Sequence, residues 1–259
     1  MRRLKVLLVN DVYRNVIKRI IYSGKIVGNT KELLNVKLEI DPYDNIATIR
    51  DPSIKYMLAE LIWYFSGSQS SKWISQFAKL WSKISDDGET SNSAYGYSIL
   101  YKHGFNQIDQ VIEILKNDSN SRRAVININI PHNNKMLTRD EPCTLVLQFY
   151  IRDNLLCMTT MMRSNDVWFG LPYDIVFFTE VQKYIAKKLG ITAGVYTHFV
   201  VSLHMYLRDE EKLEKVLSTI ESKNISINFQ KLIENAETLY NIVNKDNIID
   251  ICKDWRILE

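Results

Sequence analysis

Cysteine, glycine and proline are all scarce in this chain, and each scarcity excludes a class of protein. The only cysteines among 259 residues are Cys143, Cys157 and Cys252. They are widely separated, form no CxxC pair and have no His pair nearby, which argues against a disulfide framework and a structural zinc site. Reduced thiols and no bound metal are expected. With 9 glycines and 5 prolines there is no Gly/Pro-rich linker, low-complexity tract or repeat, so the chain reads as continuously structured. No run approaches the roughly 20 apolar residues needed to span a bilayer, and Met1-Arg2-Arg3-Leu4-Lys5 leads into too short an apolar segment for a secretory signal. A soluble, cytoplasmic protein is expected, in the host cytoplasm for a viral source. Excess charge is lacking too. The 33 basic and 30 acidic residues leave a net +3, too balanced for a polynucleotide-binding surface. Any anion site must be local.

What the chain does have is apolar mass, 46% of its residues, enough to fill the core of one large domain. Val12, Val16, Ile17, Ile20 and Ile21 recur at helical spacing ahead of Gly24. Residues 34–49 alternate as a pair of strands turning at Asp41-Pro42-Tyr43-Asp44. Further helices are expected over 54–65, 73–84, 105–116 and 175–189 and from Glu210. Strands are expected over 124–130, 144–152, 155–161 and 196–207, each rich in β-branched, aromatic or other large apolar residues. The stretch 225–259 carries the weakest pattern. Helices and strands mix without regular βαβ alternation, so the expected class is α+β, in a single domain over residues 1–259.

Chemistry concentrates in Met162–Pro172, MRSNDVWFGLP, downstream of Cys143 in Glu141-Pro142-Cys143-Thr144. Arg163 offers a planar, permanently charged fork of donors, Ser164 a hydroxyl, and Asn165 and Asp166 acceptors, so one short turn here would grip phosphate and orient a polar heterocycle. Glu60 stands among apolar neighbours, where a carboxylate either has a role or faces solvent from an amphipathic helix. Arg122-Arg123 follow a polar loop and enter an apolar strand, where local pattern alone favours ordinary strand-end charge. Cys143 is either a nucleophile or a small hydrophobe, and Cys157 fits the second description better. His204 and Tyr206 share one strand face at period two.

In order and near-matching spacing these elements resemble the thymidylate synthase family over about residues 53–209. The motifs are Glu60-Leu61-Ile62-Trp63, Ala94-Tyr95-Gly96, Asp118-Ser119-Asn120-Ser121-Arg122-Arg123, Pro142-Cys143, Arg163-Ser164-Asn165-Asp166-Val167 and Leu203-His204-Met205-Tyr206. The resemblance implies an α+β domain with a mixed sheet flanked by helices, dimerising through the sheet. It makes Cys143 the nucleophile that adds to C6 of a pyrimidine monophosphate, with methylenetetrahydrofolate as co-substrate. Arg163 and Ser164 would bind phosphate within the subunit, and Arg122 and Arg123 would reach it from the partner. Glu60 and Tyr95 would organise proton transfer, His204 and Tyr206 would hold the sugar hydroxyl, and Trp81, Asp166 and Gly170 would place the folate.

The departures from that family are specific. Pro172-Tyr173-Asp174-Ile175 carries Asp where the family has Asn. A uracil edge suits an amide, whereas cytosine presents an N3 acceptor and an N4 donor that suit a neutral carboxylic acid. The other reading of Asp174 is a solvent-facing N-cap. Thr144 replaces a usual His, Met162 a usual Gln and Ile84 a usual Trp. The charged ending Asp254-Trp255-Arg256-Ile257-Leu258-Glu259 lacks the apolar tail that closes many synthases over folate. The Cys143-Thr144 pair, the Met162–Val167 run, the downstream Asp174 and the Ser202-Leu203-His204 segment are similar to the phage deoxycytidylate hydroxymethylases within the family. The expected activity is 5-hydroxymethylation of dCMP or CMP, with capture of a methylene intermediate by water. The alternatives are a pyrimidylate methyltransferase and, from another class, an idle nucleotide- or RNA-binding relative.

Overall fold

The computed structural model describes residues 8–129, 138–220 and 224–259. Its elements begin with α1 (Val9–Ser23), β1 (Lys25–Val27), β2 (Thr30–Ile40), α2 (Ile54–Phe65), α3 (Ser71–Ser75), α4 (Leu80–Ile84), α5 (Tyr95–Leu100) and α6 (Gln107–Asn117). They continue with β3 (Val125–Asn127), β4 (Thr144–Arg152), β5 (Leu155–Asp166), α7 (Leu171–Leu189), β6 (Thr192–Tyr206) and α8 (Glu210–Ser218). The chain closes with α9 (Phe229–Glu234), α10 (Ala236–Ile242) and α11 (Ile248–Asp254). This is the α+β mixture expected. Among the described residues no helix is long and apolar enough to cross a membrane. Met1-Arg2-Arg3-Leu4-Lys5 lies outside the described residues.

The elements fall into two compact units. The first gathers the segments up to Pro52, from Val111 to Val125 and from Thr144 to Asn224. It holds the sheet, ordered β1-β2-β6-β5-β4-β3, with β3 lying where the chain passes into the second unit. β1 and β2, β2 and β6, and β4 and β5 pair antiparallel, whereas β5 and β6 run parallel. One stripe of α1, including Val9, Val12, Val16, Ile17 and Ile20, is buried, as a 3.6-residue period requires. The Asp44 carboxylate accepts the Val9 N–H at 2.7 Å and so satisfies a donor at the start of that helix. α7 begins four residues before the expected 175 because Pro172 occupies its first turn, where a missing N–H is no loss. It stops at Gly190, whose φ of 71° suits glycine.

Two expectations in this unit need correction. Residues 34–49 are not a strand pair. β2 instead runs from Thr30, its hairpin partner is β1, and the tight turn between them uses Gly28 at φ 58°. Past Asp44 the chain turns its polar groups to tertiary partners. Asn45 donates to Thr179 Oγ1 and Glu180 Oε1, both at 2.8 Å, and Thr48–Arg50 forms a 3-10 turn. The Arg-Ser-Asn-Asp cluster is likewise no turn. It is the last stretch of β5, which runs to Asp166.

That stretch follows a change of phase. Met158, Thr160 and Met162 are buried on β5, Tyr196, His198 and Val200 on β6, and Val36, Leu38 and Ile40 on β2. Beyond Arg163 and Val201 the buried members become Asn165 and Val167, and Leu203 and Met205. Met162 and Val36 both pair with Val200, and Ser164 and Leu34 both pair with Ser202. Arg163, Val201 and Asn35, the last at φ 54°, therefore stand in one line across three strands. A slip of one residue exchanges the faces of a strand. Ser164, Asp166, Ser202, His204 and Tyr206 are thereby released from the core side.

The second unit gathers the segments from Ser53 to Gln110, from Ile126 to Cys143 and from Ile225 onward. α2 is buried without a break over residues 57–64, and Ser53 Oγ caps it by accepting the Tyr56 N–H at 3.3 Å. The helix expected over 73–84 is two short ones, α3 and α4. Phe77 and Ala78 both return their N–H groups to the Ile74 carbonyl, closing the first turn. Trp73 is held separately, stacked on Tyr240 at 4.7 Å and donating Nε1 to its carbonyl at 3.1 Å. The strand expected over 124–130 shrinks to β3, since the Gln107 amide takes both the N–H and the carbonyl of Asn127. Ile130 lies outside the described residues.

Gly96 shows how tightly α5 meets α2. A Cβ there would sit 1.7 Å from the Tyr64 carbonyl oxygen, so one backbone packs on another with no room between them. Gly96→Ala is expected to destabilise the protein by at least about 3 kcal/mol. Urea unfolding checks this, and an unchanged midpoint would refute it.

Candidate active site

In the first unit the sequence-predicted residues converge where β5 and β6 end. Ser164 Oγ lies 3.4 Å from His204 Nδ1, and the His204 and Tyr206 rings meet edge to face at 5.6 Å. Arg163 is exposed at the line where the strands change phase. Asp166 Oδ1 accepts the N–H groups of Trp168 (2.7 Å) and Phe169 (3.0 Å) and so builds the turn into α7. Burial raises the Asp166 carboxyl above the usual range, against the pull of those two N–H groups and of His204. Arg122 and Arg123 are exposed ahead of β3. Their local backbone is held by Gln148, which donates to the Arg122 carbonyl at 2.9 Å, and by Ser121 Oγ, which accepts the Arg123 N–H.

Asp174 is not the solvent-facing N-cap of α7. Gly170 holds that position, and Asp174 lies within the first turn, its N–H on the Gly170 carbonyl at 3.0 Å. The residue keeps some exposed surface, but its carboxyl group is withdrawn and accepts from Asn165 Nδ2 at 2.6 Å. Burial pushes the Asp174 carboxyl up to about 7, against the opposing effect of that hydrogen bond. Gly170 makes room for the pair. A Cβ on it would come within 3.1 Å of Asn165 Nδ2 and 3.3 Å of Asp174 Oδ2.

Three of the departures from the family pattern prove to be neighbours. Thr144 pairs with Met162 across β4 and β5. Met162 Sδ lies 3.3 Å from Asn165 Nδ2, the atom that also reaches Asp174. Among the described residues the buried Thr144 Oγ1 and Asn165 Oδ1 have no hydrogen-bond partner. The sequence reading missed Arg50 and Tyr13. Arg50 stacks on the Trp168 ring at 4.4 Å and donates Nε to its carbonyl at 2.9 Å and Nη1 to the Tyr173 hydroxyl at 3.2 Å. Tyr13 donates to the Val167 carbonyl at 2.8 Å. An arginine directly after Ile46-Ala47-Thr48-Ile49 was the available signal.

In the second unit Glu60 is buried rather than solvent-facing. The Tyr56 hydroxyl donates to Glu60 Oε1 at 2.6 Å and accepts from Trp81 Nε1 at 3.0 Å. Tyr95 is buried and stacks on Tyr64 at 5.3 Å. Cys143 is half-buried directly before β4. Its approach is fixed by Asn129, which donates to Glu141 Oε1 (2.7 Å) and the Pro142 carbonyl (3.4 Å). The other thiols are suppressed by burial, which raises Cys157 and pushes Cys252 up to about 11. Among the described residues no cluster of three or more His, Cys, Asp or Glu is arranged for a metal ion.

The family model for thymidylate synthase matches residues 11–250. The chain belongs to the thymidylate synthase family. It is 26% identical over 250 residues to a deoxyuridylate hydroxymethyltransferase of Bacillus phage SP01, covering 88% of this chain and 65% of that one. It is 30% identical over 170 residues to another of Pseudomonas phage M6, covering 64% and 48%. A thymidylate synthase of Clostridium beijerinckii is 26% identical over 240 residues, covering 89% and 88%. The matched region thus spans between about half and two thirds of the length of the two phage relatives.

Proposed function

We propose that the protein is a folate-dependent cytidylate 5-hydroxymethylase acting on dCMP. The observation that carries the base choice is Asp174, a withdrawn carboxyl group that burial raises to about 7, so that a large share of it is protonated near neutral pH and can donate to cytosine N3 while accepting from N4. The phage relatives named as hydroxymethyltransferases support the reaction type, although their names specify deoxyuridylate. In this reading both units form one catalytic domain, since the family match runs through every segment of each.

Arg163 and Ser164 bind the phosphate, joined by Arg122 and Arg123 of a second copy, while His204 and Tyr206 hold the sugar. The Cys143 thiolate adds to C6, which makes C5 nucleophilic. Methylenetetrahydrofolate supplies one carbon at the oxidation level of formaldehyde. Glu60, with Tyr56 and Tyr95, moves protons at the ring, C5 loses its hydrogen, and tetrahydrofolate leaves. Water then adds to the exocyclic carbon and the thiolate departs from C6, so dCMP, methylenetetrahydrofolate and water give 5-hydroxymethyl-dCMP and tetrahydrofolate without an oxidant. The donor set fits a pterin: the turn bonds of Asp166 both end on Oδ1, and Phe169 beside it is 48% exposed.

Dimerisation through the sheet is part of the same reading. The face of β5 opposite its buried side carries Cys157, Thr159 and Met161. With Tyr150, Val195 and Phe199 they line a shallow depression of about 510 Å³, and Met161 is 39% exposed. The test incubates the protein with methylenetetrahydrofolate and each of dCMP, CMP, dUMP and UMP and identifies products by mass. A hydroxymethylated cytosine nucleotide with tetrahydrofolate is expected. A methylated product with dihydrofolate would overturn the reading in favour of a methyltransferase, a reading favoured by the Clostridium beijerinckii relative.

A further inference from the structure

We propose that Asn165 is the positioning residue for base choice, fixing which oxygen of Asp174 accepts and which donates. The inference rests on the cytidylate reading above. A neutral carboxylic acid has one donor and one acceptor oxygen, and in isolation it can exchange them. Asn165 Nδ2 removes the ambiguity by donating to Asp174 Oδ2 at 2.6 Å. The carbonyl oxygen of an acid is its stronger acceptor, so this bond favours Oδ2 as the unprotonated oxygen and places the proton on Oδ1. An acid so polarised offers a donor to cytosine N3 and a remaining lone pair to the N4 amino group. With uracil, whose N3 is a donor and whose O4 is an acceptor, both contacts oppose.

The orientation of the amide is held from its other side. Asn165 is only 3% exposed and points Nδ2 also toward Met162 Sδ, 3.3 Å away. Its own Oδ1 is buried with no partner among the described residues. Such an acceptor is destabilising until a donor arrives. An exocyclic amino group has two hydrogens, one for Asp174 Oδ2 and one for Asn165 Oδ1, whereas a uracil O4 has none. Gly170 is the third part of the arrangement, since any side chain there would press on both Asn165 and Asp174. The titratable group that faces Asp174 from β6 is Tyr196, which burial holds well above its ordinary value, so it stays neutral.

The test compares wild type, Asn165→Ala and the isosteric Asn165→Asp, measuring kcat/KM for dCMP and dUMP from pH 6 to 9 alongside calorimetric binding of both nucleotides. Both variants are expected to reduce the dCMP-to-dUMP ratio at least tenfold. In both, the alkaline limb of the dCMP profile should move upward, because the amide no longer favours the ionised form of Asp174, while the dUMP profile stays in place. A purely structural role would lower both substrates equally and leave the limb where it was. Should Asn165→Ala fold poorly, Asn165→Asp decides alone. An unchanged ratio and limb in a wild type that does prefer dCMP overturns this inference only. A wild type without that preference overturns the cytidylate reading itself.

Discussion

Cys143→Ser is expected to lower kcat by at least about a thousandfold, roughly 4 kcal/mol of transition-state stabilisation, while dCMP still binds. The proposed reaction requires a sulfur nucleophile that both adds to C6 and leaves again, and a serine hydroxyl is poor at each. The other two thiols are poor substitutes: Cys157 lies on the sheet with its thiol raised by burial, and Cys252 is fully buried and raised to about 11. Cys157→Ser and Cys252→Ser should therefore keep turnover within a few fold of wild type. Tetrahydrofolate release gives the rate and calorimetry gives the binding. Near-normal turnover in Cys143→Ser would remove it from the chemistry, and a loss of similar size in Cys157→Ser would move the assignment there.

Asp174→Asn is expected to shift the kcat/KM ratio from dCMP toward dUMP by ten- to a hundredfold, corresponding to about 1–3 kcal/mol for a mismatched buried contact. The same substitution has a second consequence in the ligand-free protein. Asp174 keeps its proton up to about pH 7 when folded but releases it near 3.8 when unfolded. Folding therefore takes up a proton between those values, and stability falls as pH rises through them. Above about pH 7 the burden is complete, on the order of 4 kcal/mol; below 3.8 it vanishes. The amide does not titrate, so the variant should gain Tm over wild type at pH 8 and little at pH 4. Scanning calorimetry at both pH values checks this. An equal difference at the two would contradict the raised carboxyl, and an unchanged substrate ratio would defeat base selection.

The parts of this molecule legible in its sequence are those whose pattern is local. Ile54–Phe65 is a helix in sequence and structure because its apolar run follows a Ser cap, and Thr144–Arg152 is a strand because its residues suit a half-buried ladder. What the pattern concealed depends on distant partners. Asn45 is drawn away from a ladder by Thr179 and Glu180, and Asn127 has both its backbone groups taken by Gln107, which cuts the expected strand short at β3. Asp174 read as a base reader with a helix cap as the alternative, and the choice was not settled by pattern because its carboxyl group meets Asn165 only after β5 and α7 fold together. The link from Thr144 through Met162 and Asn165 to Asp174 was legible as four positions, not as one contact chain.

The line through Asn35, Val201 and Arg163 separates each strand into a part answerable to the core and a part that, in the proposed reading, answers to the ligand. On the far side, Ser164, Asp166, Ser202, His204 and Tyr206 alternate with buried Asn165, Leu203 and Met205. Apart from Asp166, whose Oδ1 builds the turn into α7, side chains on that part can be exchanged without enlarging or emptying the interior, so a change of ligand meets little resistance from foldability. A one-residue insertion or deletion beyond the line is a different matter, because it would send buried methyls outward and carboxylates inward. Diversification within such a scaffold should therefore proceed by replacement at fixed length here, and a combinatorial library confined to Ser164, Ser202, His204 and Tyr206 should contain mostly folded members.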